Sequence, residues 1–318
     1  MSPARPDQSP VTRLAPSPTG ALHLGNARTF LVNWLLARQH GWRVILRIED
    51  LDTPRVKPGM IERTIETLGW LGLDWDDGPL VQSHDLEPYR SAMRRLAERG
   101  LVYPCTLTRR EIESAVSAPN EGDHEIRFDA SLRPAEIPRC FDGEATNWRL
   151  IVEDGRVSLD DAFRGRVDLD IAASVGDFVV WTKRGCPSYQ LAVVVDDARQ
   201  GVTEIVRGDD LLDSAGRQAL LYRALGLGKP PRCCHLPLVR GDDGRRLAKR
   251  HGDTRIDHYR EMGVPSGRVL ALLARWCGVD AGDSVSARDL IGRVSFDTIP
   301  REDITFRAED DRWLTDGV

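Results

Sequence analysis

Long apolar runs are absent from this 318-residue chain, and none approaches the roughly 20 residues that a membrane-spanning helix requires. The first ten residues hold three prolines and no apolar signal core. They read as a disordered tail over residues 1–10 and not as a targeting segment. A soluble, cytoplasmic protein with no membrane partner is expected. The six cysteines, Cys105, Cys140, Cys186, Cys233, Cys234 and Cys277, form no C-x-x-C pair and no regular framework. This excludes a disulfide scaffold and favours buried free thiols. An excess of positive charge is also missing: 44 Lys and Arg face 49 Asp and Glu, giving a net charge of −5. Because phosphate contacts dominate nucleic-acid affinity, that balance speaks against a surface coated for RNA or DNA. A local patch is still allowed, since Arg245, Arg246, Lys249, Arg250, His251 and Arg255 lie within eleven positions. Internal repeats and low-complexity blocks are absent.

What is present is an alternation of strand and helix patterns. Val11, Leu14 and Ala15 form a short apolar run that stops at Pro16 and Pro18. Gly20 allows a tight turn, and a helical pattern begins by Gly25 and runs through Ala27, Phe30, Leu31, Trp34 and Leu35 to a stop at Gly41. Such a strand–turn–helix junction places backbone N–H groups and the positive end of a helix dipole where a phosphate can sit, with His23 at the mouth. Trp42 to Ile48 reads as a strand ending in the acids Glu49, Asp50 and Asp52, at the end of a strand where open α/β sheets hold ligands. Pro58 opens a helix, and Ser83 or Asp85 caps another through Leu86, Tyr89, Met93 and Leu96. Thr108 and Glu111 form a T-x-x-E capping box.

From about Ala118 to Glu144 the pattern breaks into Pro, Asp, Gly and Glu, marking an insertion. Strands are expected again at Trp148–Val152, Phe178–Trp181, Val202–Val206 and Cys233–Val239. The apolar run Tyr189–Val195 is ambiguous between strand and helix. A helix is expected over Ser214–Leu225 and another through Val269, Leu272, Leu273 and Trp276, while the last forty residues read as polar and irregular. These patterns predict an α/β fold: a doubly wound, Rossmann-like parallel sheet split by an insertion, with a small C-terminal helical segment. The expected division is residues 11–103 and 187–245 for the two halves of the sheet domain, 104–186 for the insertion, and 246–318 for a basic loop and the helical segment.

The stretch Arg13-x-Ala15-Pro16-Ser17-Pro18-Thr19-Gly20-x-x-His23-Leu24-Gly25 resembles, position by position, the first signature of the glutamyl-tRNA synthetases, which includes the "HIGH" motif of class I aminoacyl-tRNA synthetases. Asn26 replaces its final histidine. Arg246-Leu247-Ala248-Lys249-Arg250 resembles the second, K-M-S-K-S signature, with Lys249 kept. Leu46-Arg47-Ile48-Glu49-Asp50-Leu51-Asp52, Pro187-Ser188-Tyr189-Gln190-Leu191-Ala192 with Val195-Asp196-Asp197, and Val206-Arg207-Gly208-Asp209-Asp210 resemble three further family segments in the family's order. Singly each has a bland explanation, but together they span residues 13 to 250.

The resemblance implies adenylation of glutamate with ATP and Mg²⁺. His23 and Lys249 would be catalytic, and both would meet ATP together with Gly25 and Asn26. Arg13, Ala15, Ser17, Glu49, Tyr189 and Arg207 would bind glutamate, the arginines by the carboxylate fork and Glu49 through the α-ammonium. Only 68 residues follow Arg250, too few for the helical anticodon-binding half of the full-length enzymes, and Val193 stands where those usually carry asparagine. Both features resemble a truncated branch of the family that esterifies glutamate to the queuosine base in the anticodon of tRNA(Asp). L-Glutamate, ATP and the tRNA(Asp) anticodon stem-loop are therefore the implied partners, with a monomer expected. Members of that branch commonly bind structural zinc through Cys-x-Cys, Tyr and Cys. Here Cys105 is followed by Leu107, and Cys140 is the only other nearby thiol, so no zinc or other metal site in the protein is expected. The alternatives are a truncated synthetase charging a tRNA 3′ end and an idle paralogue that binds glutamate or tRNA. The presence of His23, Lys249 and Arg207 disfavours the idle paralogue.

Overall fold

The computed structural model describes residues 9–108, 111–112, 127–153, 156–245, 247 and 252–316. These residues form two compact units: one through Ser83, Val202–Leu211 and from Arg232 onward, the other His84–Gly201 with Leu212–Pro231.

The first unit is built on parallel strands. Val11–Leu14 pairs with Arg43–Ile48, which pairs in turn with Asp77–Val81. A second parallel pair, Glu204–Gly208 with Arg232–Leu236, joins at Val11, whose carbonyl accepts the Thr203 N–H at 2.9 Å. Val11, Ile45, Val202 and Ile205 pack as one buried cluster. Parallel strands need crossover connections. The first crossover is the helix Leu24–His40, whose Leu24, Ala27, Leu31, Trp34 and Leu35 are all buried at helical spacing. It ends where expected, at Gly41, whose φ of 65° gives the left-handed cap that a residue with a Cβ resists. The Asn33 side chain ties this helix to the first strand: Nδ2 donates to the Arg13 carbonyl at 2.9 Å, and Oδ1 accepts from the Thr12 hydroxyl at 2.9 Å.

The expected irregularity of the last forty residues holds over much of that stretch but fails at its end. Ile304–Thr305 pairs in parallel with Val239–Arg240, and Ala308–Thr315 is a helix. Its Trp313 stacks between Arg268 and Arg275 of the helix Ser266–Arg275, at 5.1 and 4.3 Å from their guanidinium carbons.

The second unit has an antiparallel sheet, Val102–Cys105, Asn147–Leu150, Phe178–Thr182 and Cys186–Pro187 in that order. A hairpin, Val157–Asp161 with Gly165–Leu169, was not visible in the sequence. Asp177, 1% exposed, organises the sheet by accepting from Tyr103 Oη at 2.7 Å, Arg133 Nε at 2.7 Å and the Val152 N–H at 2.8 Å. The Thr108–Glu111 capping box forms, with reciprocal bonds of 2.7 and 3.3 Å. The ambiguous run resolves as a helix, Tyr189–Arg199, capped by Ser188. It packs beside the helices Glu87–Glu98 and Leu212–Leu225, and Tyr89 Oη donates to Asp196 Oδ2 at 2.9 Å.

All six cysteines are free. Burial was expected of all; Cys105, Cys234 and Cys277 are buried, but Cys186 and Cys233 are half-buried and Cys140 is exposed. Among the described residues no helix is long and apolar enough to cross a membrane.

Candidate active site

His23 is the N-cap of the helix Leu24–His40. Its extended backbone (φ −105°, ψ 164°) turns the imidazole back over the first turn, where Nδ1 accepts the N–H groups of Gly25 at 3.2 Å and Asn26 at 3.3 Å. An imidazole nitrogen that accepts two bonds carries no proton, so the ring's proton sits on Nε2 and that edge is a donor. Gly25 makes this possible, because a Cβ there would stand 3.1 Å from His23 Cε1.

The arrangement corrects the expectation of open N–H groups at the helix mouth. The Leu24 N–H goes to the Thr254 carbonyl at 3.0 Å, those of Gly25 and Asn26 go to His23, and that of Ala27 goes to the His23 carbonyl at 3.0 Å. A phosphate at this mouth would be met by His23 and the helix dipole behind it, with Gly25 and Asn26 acting through the histidine. The Leu24 contact also draws in the segment after the second signature. Residues 254–256 run antiparallel to 22–24, with a bridge between His23 and Arg255 and the Ile256 N–H on the Leu22 carbonyl at 2.8 Å.

His23 opens onto a cleft of about 740 Å³ with Thr19, Gly20, Lys57, Arg63 and Arg255 along its walls. Two of its cations are held by carboxylates. Arg63 Nε donates to Asp257 Oδ2 at 2.6 Å, and Arg255 Nε donates to Asp253 Oδ1 at 2.6 Å. The Arg255 hydrogen bond holds the Asp253 carboxyl below its ordinary range. Asp257 also accepts from Thr67 Oγ1 at 3.0 Å, which anchors the cleft wall to the helix Met60–Trp70.

Of the residues expected around glutamate, Arg13, Ala15, Ser17, Glu49 and Arg207 lie at or just after the carboxyl ends of parallel strands. Arg13, 5% exposed, is the penultimate residue of the first strand, and half-buried Ala15 and exposed Ser17 follow that strand. Glu49 follows the second strand, and its N–H binds the Pro16 carbonyl at 3.0 Å. Its carboxylate is gripped by Arg47, fully buried, through Nη2 at 3.0 Å. Arg207, on the strand Glu204–Gly208, is 4% exposed, and its Nε donates to His235 Nε2 at 2.9 Å. Sequence reasoning assigned no role to Arg47 or His235. Arg47 stands inside a quoted motif, but His235 faces Arg207 only because of the strand register that pairs them.

Tyr189 is the first residue of its helix in the second unit, with its side chain 39% exposed. Lys249 lies outside the described residues. Among the described residues no group of three or more His, Cys, Asp or Glu is placed to hold a metal ion. Cys105 is buried in its strand, whereas Cys140 is exposed and its Sγ donates to Asp142 Oδ2 at 3.5 Å.

A Rossmann-like parallel sheet, a histidine-capped helix mouth and buried arginines at strand ends define a class I synthetase core. Residues 10–296 match the family described as tRNA synthetases class I (E and Q), catalytic domain, and the chain belongs to that family. Within it, the chain is 45% identical over 303 residues to the Glutamyl-Q tRNA(Asp) synthetase of Rhodopirellula baltica, covering 89% of this chain and 90% of that one. It is 44% identical to the Glutamyl-Q tRNA(Asp) synthetase of Symbiobacterium thermophilum, covering 96% and 98%. Glutamate--tRNA ligase 2 of Halorhodospira halophila is 37% identical, over 95% of this chain but 64% of its own length. Among solved structures, a glutamate tRNA ligase from Elizabethkingia meningosepticum superposes with a TM-score of 0.78 at 26% identity, covering 96% of this chain and 69% of that one.

Proposed function

We propose that the protein activates L-glutamate with ATP and transfers the glutamyl group to queuosine in the anticodon of tRNA(Asp). In the first step an oxygen of the glutamate α-carboxylate attacks the α-phosphorus of ATP, forming glutamyl-adenylate and releasing pyrophosphate. A carboxylate is already a nucleophile, so the step needs positioning and charge stabilisation more than a general base. The Nε2–H of His23 and the ammonium of Lys249 meet the charge developing on the phosphates, with Mg²⁺ accompanying ATP. Arg13 and Arg207 take the carboxylate that is not activated, Glu49 takes the α-ammonium, and Ala15 and Ser17 line the same subsite. The family resemblance adds Tyr189 to the residues that meet the amino acid. In the second step a hydroxyl of the queuosine ring attacks the glutamyl carbonyl and AMP leaves. On this reading residues 11–103 and 187–245 form the catalytic halves around the insertion 104–186, and the protein works as a cytoplasmic monomer.

The observation that carries adenylation is the placement, in one unit, of the His23-capped helix mouth and the strand ends bearing Arg13, Glu49 and Arg207. Likeness over nearly the whole length of two Glutamyl-Q tRNA(Asp) synthetases supports the choice of acceptor. The test is to offer purified protein, ATP and labelled glutamate to tRNA(Asp) with and without the modified base. Label is expected only on the modified tRNA, and equal labelling of both would refute the choice of acceptor.

A further inference from the structure

His235 is fully buried on the strand Arg232–Leu236, in direct register with Arg207 on the neighbouring strand. Its Nε2 accepts the Nε–H of Arg207 at 2.9 Å, so its own proton sits on Nδ1 and the ring is neutral. The choice of partner has a geometric consequence. A bond at Nε fixes the guanidinium plane and closes its side-on edge, so a substrate carboxylate is met by the Nη edge.

We propose that His235 is a positioning residue for glutamate: it holds Arg207 in the orientation that receives the substrate carboxylate, and it touches no substrate itself. This rests on the assignment of Arg207 to glutamate, and the test separates the two. In glutamate-dependent pyrophosphate exchange, Arg207→Ala tests the assignment alone, and an unchanged glutamate KM there would refute that assignment rather than the role of His235.

With the Arg207 effect established, His235→Leu removes the acceptor. It should raise the glutamate KM by about tenfold or more, the scale of one hydrogen bond to a charged group, and leave the ATP KM within about twofold. His235→Gln, whose side-chain carbonyl can reach as Nε2 does, should bring the glutamate KM back to within about threefold of wild type. Should the leucine variant not fold, His235→Asn replaces it, because its shorter carbonyl stops short of Arg207 and should behave as leucine does. Adding Arg207→Ala to either variant should cost little more than Arg207→Ala alone. A glutamate KM that stays at the wild-type value in the variants lacking the acceptor, equal rises for glutamate and ATP, or failure of glutamine to rescue would each overturn the proposal.

Discussion

Replacing Gly25 by alanine should separate stability from activity. The added Cβ would stand 3.1 Å from Cε1 and 3.2 Å from Nδ1 of His23, so the ring must give by a few tenths of an ångström or swing away. Gly25 does not have positive φ, so alanine meets no backbone strain there. In a helix alanine gains about 1 kcal/mol over glycine. Displacing the histidine forfeits its two cap bonds, worth about 1 kcal/mol. The two terms nearly cancel, and folding stability should stay within about 1 kcal/mol of wild type. The chemistry has no such compensation. Removing a preorganised donor costs about 10²–10³ in kcat, and a partial displacement should cost roughly 10- to 100-fold. Calorimetric unfolding beside glutamate-dependent pyrophosphate exchange reads both quantities. Exchange at the wild-type rate in a variant of wild-type stability would refute the role given to the His23 ring.

Three further expectations use the same assay or a titration. Lys249→Ala should lower the exchange rate by about 2–4 kcal/mol of transition-state stabilisation with little change in glutamate KM; a rate near wild type counts against its assignment to the phosphates. Glutamine should be rejected, because its neutral amide cannot accept the paired, charge-assisted hydrogen bonds that a carboxylate takes from the buried Arg13 and Arg207; comparable activation of both amino acids would contradict that pocket. Asp253, held below its ordinary range chiefly by its bond to Arg255, contributes stability that is complete above the ordinary carboxylate value of about 4. That contribution disappears as pH falls through the depressed value. Acid unfolding of Asp253→Asn should therefore lack that part of the slope, and curves identical to wild type would contradict the ion pair.

Much of the fold could be read in the chain because local signals and burial agreed. The helix Leu24–His40 shows its apolar spacing and its glycine stop, and the strand Arg43–Ile48 ends at its acids. Tyr189–Arg199 stayed ambiguous for a physical reason: Gln190 through Asp197 are all buried, so no polar face reveals the helical period. The C-terminal helix is hidden by its acidic composition, and what holds it is tertiary, the stacking of Trp313 between two arginines. At the site, residue types and order pointed to His23, Arg13, Glu49 and Arg207. The sequence could not show that His23 caps its own helix and takes up the N–H groups expected for phosphate, since that depends on a side-chain rotamer and on Gly25. Nor could it show His235 beside Arg207, which depends on the register of two strands separated by a helix.

The acceptor is the central claim, and its chemistry allows a direct test. Enzymatic removal of the terminal adenosine of queuosine-bearing tRNA(Asp) destroys the ribose that an acceptor-end synthetase would charge and leaves the anticodon base intact. Periodate opens the vicinal diol of the modified ring as well as that of the terminal ribose. With ATP and labelled glutamate, the trimmed tRNA should be labelled as well as the untreated one, and the periodate-treated tRNA should not be labelled. Loss of labelling on trimming would contradict the account and assign the protein to the 3′ end.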